Sequence, residues 1–137
     1  MISTTCGRIG ASDETSEAVV DWDYPLKTME LKNIRYKTID WSGIPAEPHT
    51  GVTGDSTWKV FQEGNVRVRV VKYSAGYFAD HWCQKGHVVH VLEGSFVSEL
   101  KDGRNFELSE GMSYVVADGH EEHRSRSEHG VTLLIVD

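Results

Sequence analysis

Two cysteines, Cys6 and Cys83, and three prolines are all that this 137-residue sequence holds of either residue. Two thiols so far apart make no disulfide framework, so stability has to come from a buried core. Long apolar runs are missing too. The stretch Leu133-Leu134-Ile135-Val136 falls far short of the roughly 20 residues that span a bilayer as a helix. The opening residues Met1 to Arg8 lack the apolar stretch of a secretory signal, so a cytoplasmic address is expected and membranes are not. Basic residues are scarce, with 14 Lys+Arg against 21 Asp+Glu and a formal net charge of -7. That charge repels phosphates and no basic stripe offsets it, so nucleic acid is not an expected partner.

What is present changes character near residue 29. Residues 1–28 read as an acidic arm, with Ser, Thr, Asp and Glu dominating Ser12 to Glu17. Trp22, Tyr24 and Leu26 give it apolar anchors for docking on the main body or on a second copy, and a disordered arm is the competing reading. Residues 29–137 read as one all-β domain of short β-branched and aromatic segments punctuated by Gly, Asn and Asp. Strands are expected at Ile34 to Ile39, Trp58 to Gln62, Val66 to Tyr73, Val88 to Leu92, Ser95 to Leu100, Met112 to Val116 and Val131 to Val136. Tight turns are expected at Glu63-Gly64-Asn65, Glu93-Gly94 and Lys101-Asp102-Gly103. About eight to ten strands at such spacing predict a sandwich or a small barrel.

Alternation assigns faces. In Val66-Arg67-Val68-Arg69-Val70-Val71 the valines at 66, 68 and 70 share one side, and Arg67, Arg69 and Val71 share the other. The valine side is expected in the core and the arginine side in solvent, with a polar barrel cavity as the alternative for the arginines.

The segment Gly76 to His87 holds the densest set of metal-capable side chains. His81 and Cys83 are two residues apart and project from one face of an extended chain, and His87 returns after the Gly86 turn. Val89 and Val91 continue on the face of His87, whereas His90 falls on the other. Near the end of the sequence His123 shares a strand face with Ser125 and Ser127. His81, Cys83, His87 and His123 therefore form a candidate three-nitrogen, one-sulfur site for a borderline-soft divalent ion. Hydrogen-bonded core histidines and a small buried thiol are the competing reading. His90 and His120 are expected outside the site, and His49 and His129 in Gly-flanked loops.

At these residues the sequence resembles the cupin superfamily. Gly76-x4-His81-x-Cys83-x3-His87-x6-Gly94 follows the first cupin motif, with Cys83 in place of the second His and His87 in place of the Glu. Sixteen residues on, Gly111-x5-Ala117-x-Gly119-x3-His123-x3-Ser127 follows the second motif with one extra residue before the histidine. Asp80-His81-Trp82-Cys83, with Lys85-Gly86-His87 and Asp102-Gly103-Arg104, is similar to the small DHCW-motif cupin-fold proteins. The resemblance implies a double-stranded β-helix, a jelly-roll-type barrel, preceded here by an N-terminal extension. It also implies one metal on the inner face and a homodimer. The extra residue leaves a second register open, in which Glu122 rather than His123 points inward.

The residues and the resemblance together predict a metal-binding protein that binds or transforms a small polar molecule inside the barrel. A ligand set containing one thiolate leaves a divalent ion a net charge of +1, suited to polarising a bound water or carbonyl. Thiolate ligation favours Zn2+ over Fe2+, Ni2+ and Cu2+. Tyr77, on the face of His81 and Cys83, and Tyr114 are the candidate pocket groups, with packing as their simpler role. The alternative is a binding or sensor module in which four protein ligands close around a structural zinc.

Overall fold

Side chains branched at Cβ fit a pleated surface better than a helix, and the Val- and Ile-rich segments fold accordingly. The computed structural model describes residues 28–137. The acidic arm expected over residues 1–28 lies outside them, Thr28 apart. Nine strands are present among the described residues: β1 (Glu47–Thr50), β2 (Asp55–Glu63), β3 (Val66–Tyr73), β4 (Tyr77–Phe78), β5 (His87–Leu100), β6 (Asn105–Ser109), β7 (Ser113–Val116), β8 (His123–Ser127) and β9 (Val131–Val136). One 3-10 turn, Trp41–Gly43, precedes them and is capped by the Asp40 carboxylate accepting from Ser42 N–H. No helix among the described residues is long and apolar enough to cross a membrane.

Every named strand pair is antiparallel. One sheet runs β1-β2-β3-β9-β5-β7 and the other β4-β8-β5-β6, so the two curl around a strand they share. The first half of β5 pairs with β9 and β7, and its second half with β8 and β6. Between the sheets lie Val71, Val89, Val91, Phe96, Leu108, Val131, Leu133 and Ile135, with Trp58, Tyr73 and Tyr114 packed against them. Burial of each large apolar side chain contributes about 1.5–3 kcal/mol. Alternation along β5 is as expected, with His87, Val89 and Val91 buried and Val88 and Leu92 exposed.

Three sequence expectations are corrected. Ile34 to Ile39 forms no strand. It belongs to an extended segment tied to the β2–β3 hairpin by Lys32 N–H donating to Asn65 Oδ1, by the Lys37–Glu63 ion pair and by Lys59 Nζ donating to the Trp41 carbonyl. Ile34 and Ile39 are half-buried there without strand pairing, and Thr38 is exposed. Glu93-Gly94 is not a hairpin turn but the bend at which β5 leaves one sheet for the other, marked by a register shift between Val91 and Glu93.

The third correction concerns β3, whose faces are reversed from Val68 to Tyr73, while Val66 at its start is buried as expected. Arg69, Val71 and Tyr73 point inward, and Val68 and Val70 lie on the outer side, only half-buried. A valine stripe and an arginine stripe alternate in the sequence, and cross-strand neighbours decided between them. Val71 pairs with Trp58 and Leu133, both of which face the core. Val68 pairs with Phe61, whose ring is covered by Lys37 at 5.7 Å.

Candidate metal centre

Three elements deliver the candidate ligands to one place. His87 opens β5, and the approach to it is tight. Gly86 N–H donates to Asp118 Oδ1, and a Cβ on Gly86 would lie 2.4 Å from the Asp118 backbone nitrogen. His123 opens β8, and Cys83 forms an isolated antiparallel bridge with it through backbone bonds of 2.7 and 3.1 Å. As a result Cys83 Sγ and one ring nitrogen from each of His87 and His123 lie within 4.8 Å of one another. The extra residue before His123 is absorbed in the turn, where Glu121 adopts φ +41°. Glu122 faces outward to Lys101 and Gln84, so the register with His123 inward is the one adopted.

The imidazoles are oriented by their far nitrogens. His123 Nδ1 donates to the Glu121 carbonyl at 3.0 Å. His87 Nδ1 is buried without a hydrogen-bond partner and lies 3.6 Å from Asp137 Oδ2. That is too long for a hydrogen bond, and the carboxylate charge favours a proton on this nitrogen. The two Nε2 atoms are 2.9 Å apart, a hydrogen bond when one of them carries a proton. With both deprotonated, two nitrogens this close to one another and to the Cys83 thiol suit one shared ion.

Charge at the site is set by burial and by the partners. Burial and the His123 charge push the His87 imidazolium down to about 4, so the ring is neutral at neutral pH. Burial raises the Cys83 thiol, but its hydrogen bond with His123, the Lys85 backbone and the charges of His123 and Arg69 outweigh burial and leave it below the usual value. Burial lowers His123, and the Cys83 bond, the Glu121 carbonyl and the Cys83 charge reverse that and raise it. Without an ion the pair is thus drawn toward imidazolium and thiolate, and metal uptake releases protons from it. Burial keeps the Tyr114 hydroxyl protonated far above neutral pH; it lies 3.1 Å from His87 Nε2.

His81 is not brought into this group. Its ring is exposed and pairs with Asp80 at 2.7 Å, although it borders the cavity that the other three line. Tyr77 stacks on Tyr73 with centroids 4.1 Å apart and planes 8° apart, and both line the same cavity. That cavity measures about 90 Å³. A second of about 220 Å³, walled by Leu100, Phe106, Leu108 and Val116, adjoins it across Tyr114 and His123. His90 bonds Ser113 on the outer side, and His120 is exposed. His49 lies on β1 rather than in a loop and stacks on Trp58 at 4.1 Å.

Sequence reasoning missed Asp137 and Trp58, and placed Arg69 in a barrel cavity only as the alternative to solvent. Asp137 is buried and accepts from Arg67 Nε at 2.8 Å and from the Arg69 guanidinium at 3.0 Å. It also missed the clamp on the loop before Cys83. The Arg124 guanidinium lies between the rings of Phe78 and Trp82, at 4.3 and 4.2 Å, and bonds Glu99 at 2.9 Å. Glu99 is shared with Arg126 at 2.6 Å.

This clamp predicts acid sensitivity. Burial raises Glu99, but the bonds and charges of Arg124 and Arg126 outweigh it and hold the carboxyl below its usual range. A depressed folded value contributes stability that is complete above the unfolded value and is lost as pH falls through the folded one. Asp137, lowered by Arg67 and Arg69 against its burial, acts in the same direction. The urea midpoint is expected to fall as pH drops from about 5 toward 3, and less steeply in Glu99→Gln. An identical slope in that variant would remove Glu99 as a source of the acid sensitivity.

No family model matches the chain, and no curated protein matches it. Solved structures do. The polyketide cyclase RemF from Streptomyces resistomycificus superposes with a TM-score of 0.63 at 21% identity, covering 74% of this chain and 78% of that one. An RmlC-like cupin from Shewanella frigidimarina gives 0.58 at 18% identity, over 74% and 89% of the two chains. The chain has the cupin fold. A sugar phosphate isomerase of the cupin superfamily from Silicibacter pomeroyi is also similar to this chain, at 0.58 and 16% identity over 73% and 74%. At such identities the likeness is one of fold, and function has to be argued from the site.

Proposed function

We propose that this cupin holds a divalent metal ion through Cys83, His87 and His123 and uses it on a small polar molecule in the adjoining cavity. The observation that carries the reading is the convergence of Cys83 Sγ and one ring nitrogen from each of His87 and His123 within 4.8 Å of one another, with the thiol held below its usual pKa. A neutral imidazole pair and a thiolate are the donor chemistry of Zn2+, ahead of Fe2+, Ni2+ and Cu2+. When bound, such an ion supplies Lewis-acid polarisation of an oxygen atom beside it.

The chain's own residues do the rest. Asp137 and the Glu121 carbonyl orient the two rings, a role whose loss typically weakens metal binding ten- to a hundredfold. The protonated Tyr114 hydroxyl, next to His87, offers a hydrogen bond within the site. Three protein donors fit an ion with a free position, whereas a structural zinc takes four. The outward ring of His81, paired with Asp80, favours the first arrangement over a closed structural site.

Elemental analysis after expression with zinc tests this. Wild type, His81→Ala and Glu122→Ala are expected to carry close to one equivalent, and Cys83→Ser and His123→Ala less than about a tenth of it. Equal metal in all five proteins, or none in wild type, would sink the proposal. Loss in His81→Ala as severe as in Cys83→Ser would instead restore the four-ligand reading.

A further inference from the structure

The larger cavity, about 220 Å³, lies where the two sheets do not close on each other. β6 is the last strand of one sheet and β7 the last of the other; each pairs with β5 and neither pairs with the other. Phe106 and Leu108 of β6, Tyr114 and Val116 of β7 and Leu100 of β5 wall the space between them. Phe106 is 48% exposed and Val115, which also lines the cavity, 77%, so apolar surface continues out to the opening. Apart from His123, charge enters these walls only through Arg104 and Glu121. Those two bond each other at 2.6 Å, and Arg104 also bonds Asp102 at 2.8 Å. Two carboxylates on one guanidinium leave this rim without a free cation to receive a phosphate ester.

We propose that this cavity takes a molecule with a single six-membered aromatic ring bearing one neutral oxygen-containing group. The proposal deepens the metal reading by naming the substrate class, and it rests on that reading only for what happens at the oxygen. An apolar protein cavity of about 150 Å³ accepts benzene. The 220 Å³ here therefore holds such a ring with about one or two further atoms. A sugar of similar size would press its hydroxyls against Leu100, Phe106, Leu108 and Val116, none of which has a side-chain donor or acceptor, and each hydroxyl left without a partner opposes binding. Tyr114 and His123 line both cavities, so the end of this one nearest the candidate metal centre is the place for the oxygen.

Calorimetric titration of benzyl alcohol and of glucose into the full chain tests the proposal, with the protein both chelator-treated and zinc-loaded. Wild type is expected to bind benzyl alcohol in both forms and at least about tenfold more tightly than glucose. Val116→Trp, which fills the cavity, should abolish benzyl alcohol binding. Phe106→Ala, which removes a wall that is half exposed, should weaken it by about tenfold and carries the test if Val116→Trp does not fold. Cys83→Ser should retain binding. No benzyl alcohol binding by wild type, glucose bound as tightly, or unchanged affinity in the variants that fold would each overturn the aromatic site. Affinity that falls as protein concentration rises would give the gap to a second copy of the chain and overturn it as well. Failure to take up zinc while benzyl alcohol still binds would overturn the metal reading and uphold this one.

Discussion

Asp137→Ala is expected to destabilise the fold by about 3–5 kcal/mol, the range measured when one partner of a buried ion pair is removed. The Asp137 side chain is 1% exposed and pairs with both Arg67 and Arg69, of which Arg69 is almost as deeply buried. Its backbone also pairs with Arg67 in both directions, at 2.6 and 2.9 Å, so the side chain cannot swing away to water. Removing the carboxylate leaves a guanidinium in low dielectric with nothing to offset its desolvation. The same substitution frees His87 Nδ1, which lies 3.6 Å from Asp137, and zinc affinity should fall ten- to a hundredfold along with stability. Denaturant unfolding of the chelator-treated protein separates the two effects. Combining Asp137→Leu with Arg69→Met, which removes both charges at similar volume, should recover much of the loss. A single Asp137→Ala variant within about 1 kcal/mol of wild type would show that water already reaches the pair.

Gly94→Val is the second large effect expected, at about 3–5 kcal/mol. Gly94 has φ +81°, and a Cβ there would lie 2.4 Å from the Gly130 carbonyl oxygen and 3.0 Å from the Val131 Cα. The left-handed backbone alone costs an L-residue about 1–2 kcal/mol, and forcing backbone apart in a packed region adds a similar or larger amount. Since Gly94 is where β5 passes between the sheets, the opening would spread to both. Gly103 supplies the control. It has φ +101° with nothing within 4 Å of its Cβ position, so Gly103→Val should cost only the backbone strain of about 1–2 kcal/mol. Equal midpoints for the two variants in urea would mean that the close approach to Gly130 is relieved at no cost.

The site is partly legible in the sequence because strand alternation is local. Counting in twos places His87, Val89 and Val91 on one face, and the structure buries all three. The same count excludes His90, which bonds Ser113 on the other side. Parity fails where the chain is not a strand. Residues Asp80 to Gly86 are mostly irregular, with Cys83 held only as a bridge, so the two-residue spacing of His81 and Cys83 did not oblige their side chains to share a face. His81 found Asp80 instead. Asp137 carried no sequence signal, since its partners lie 68 and 70 residues away.

By itself the sequence determined that the domain is all-β, where β3 and β9 run, and that His87 and His123 belong to one side of their strands. Composition, turn residues and period-two alternation act over a few residues and need no partner. Which side of β3 is the inside was decided only by tertiary structure. Val66, Val68 and Val70 alternate with Arg67, Arg69 and Val71, and either stripe can face a barrel interior when a buried carboxylate is there to receive the arginines. Asp137, brought beside Arg67 and Arg69 by the pairing of β3 with β9, supplies that carboxylate, and with it the charge that makes the inner arginine face stable.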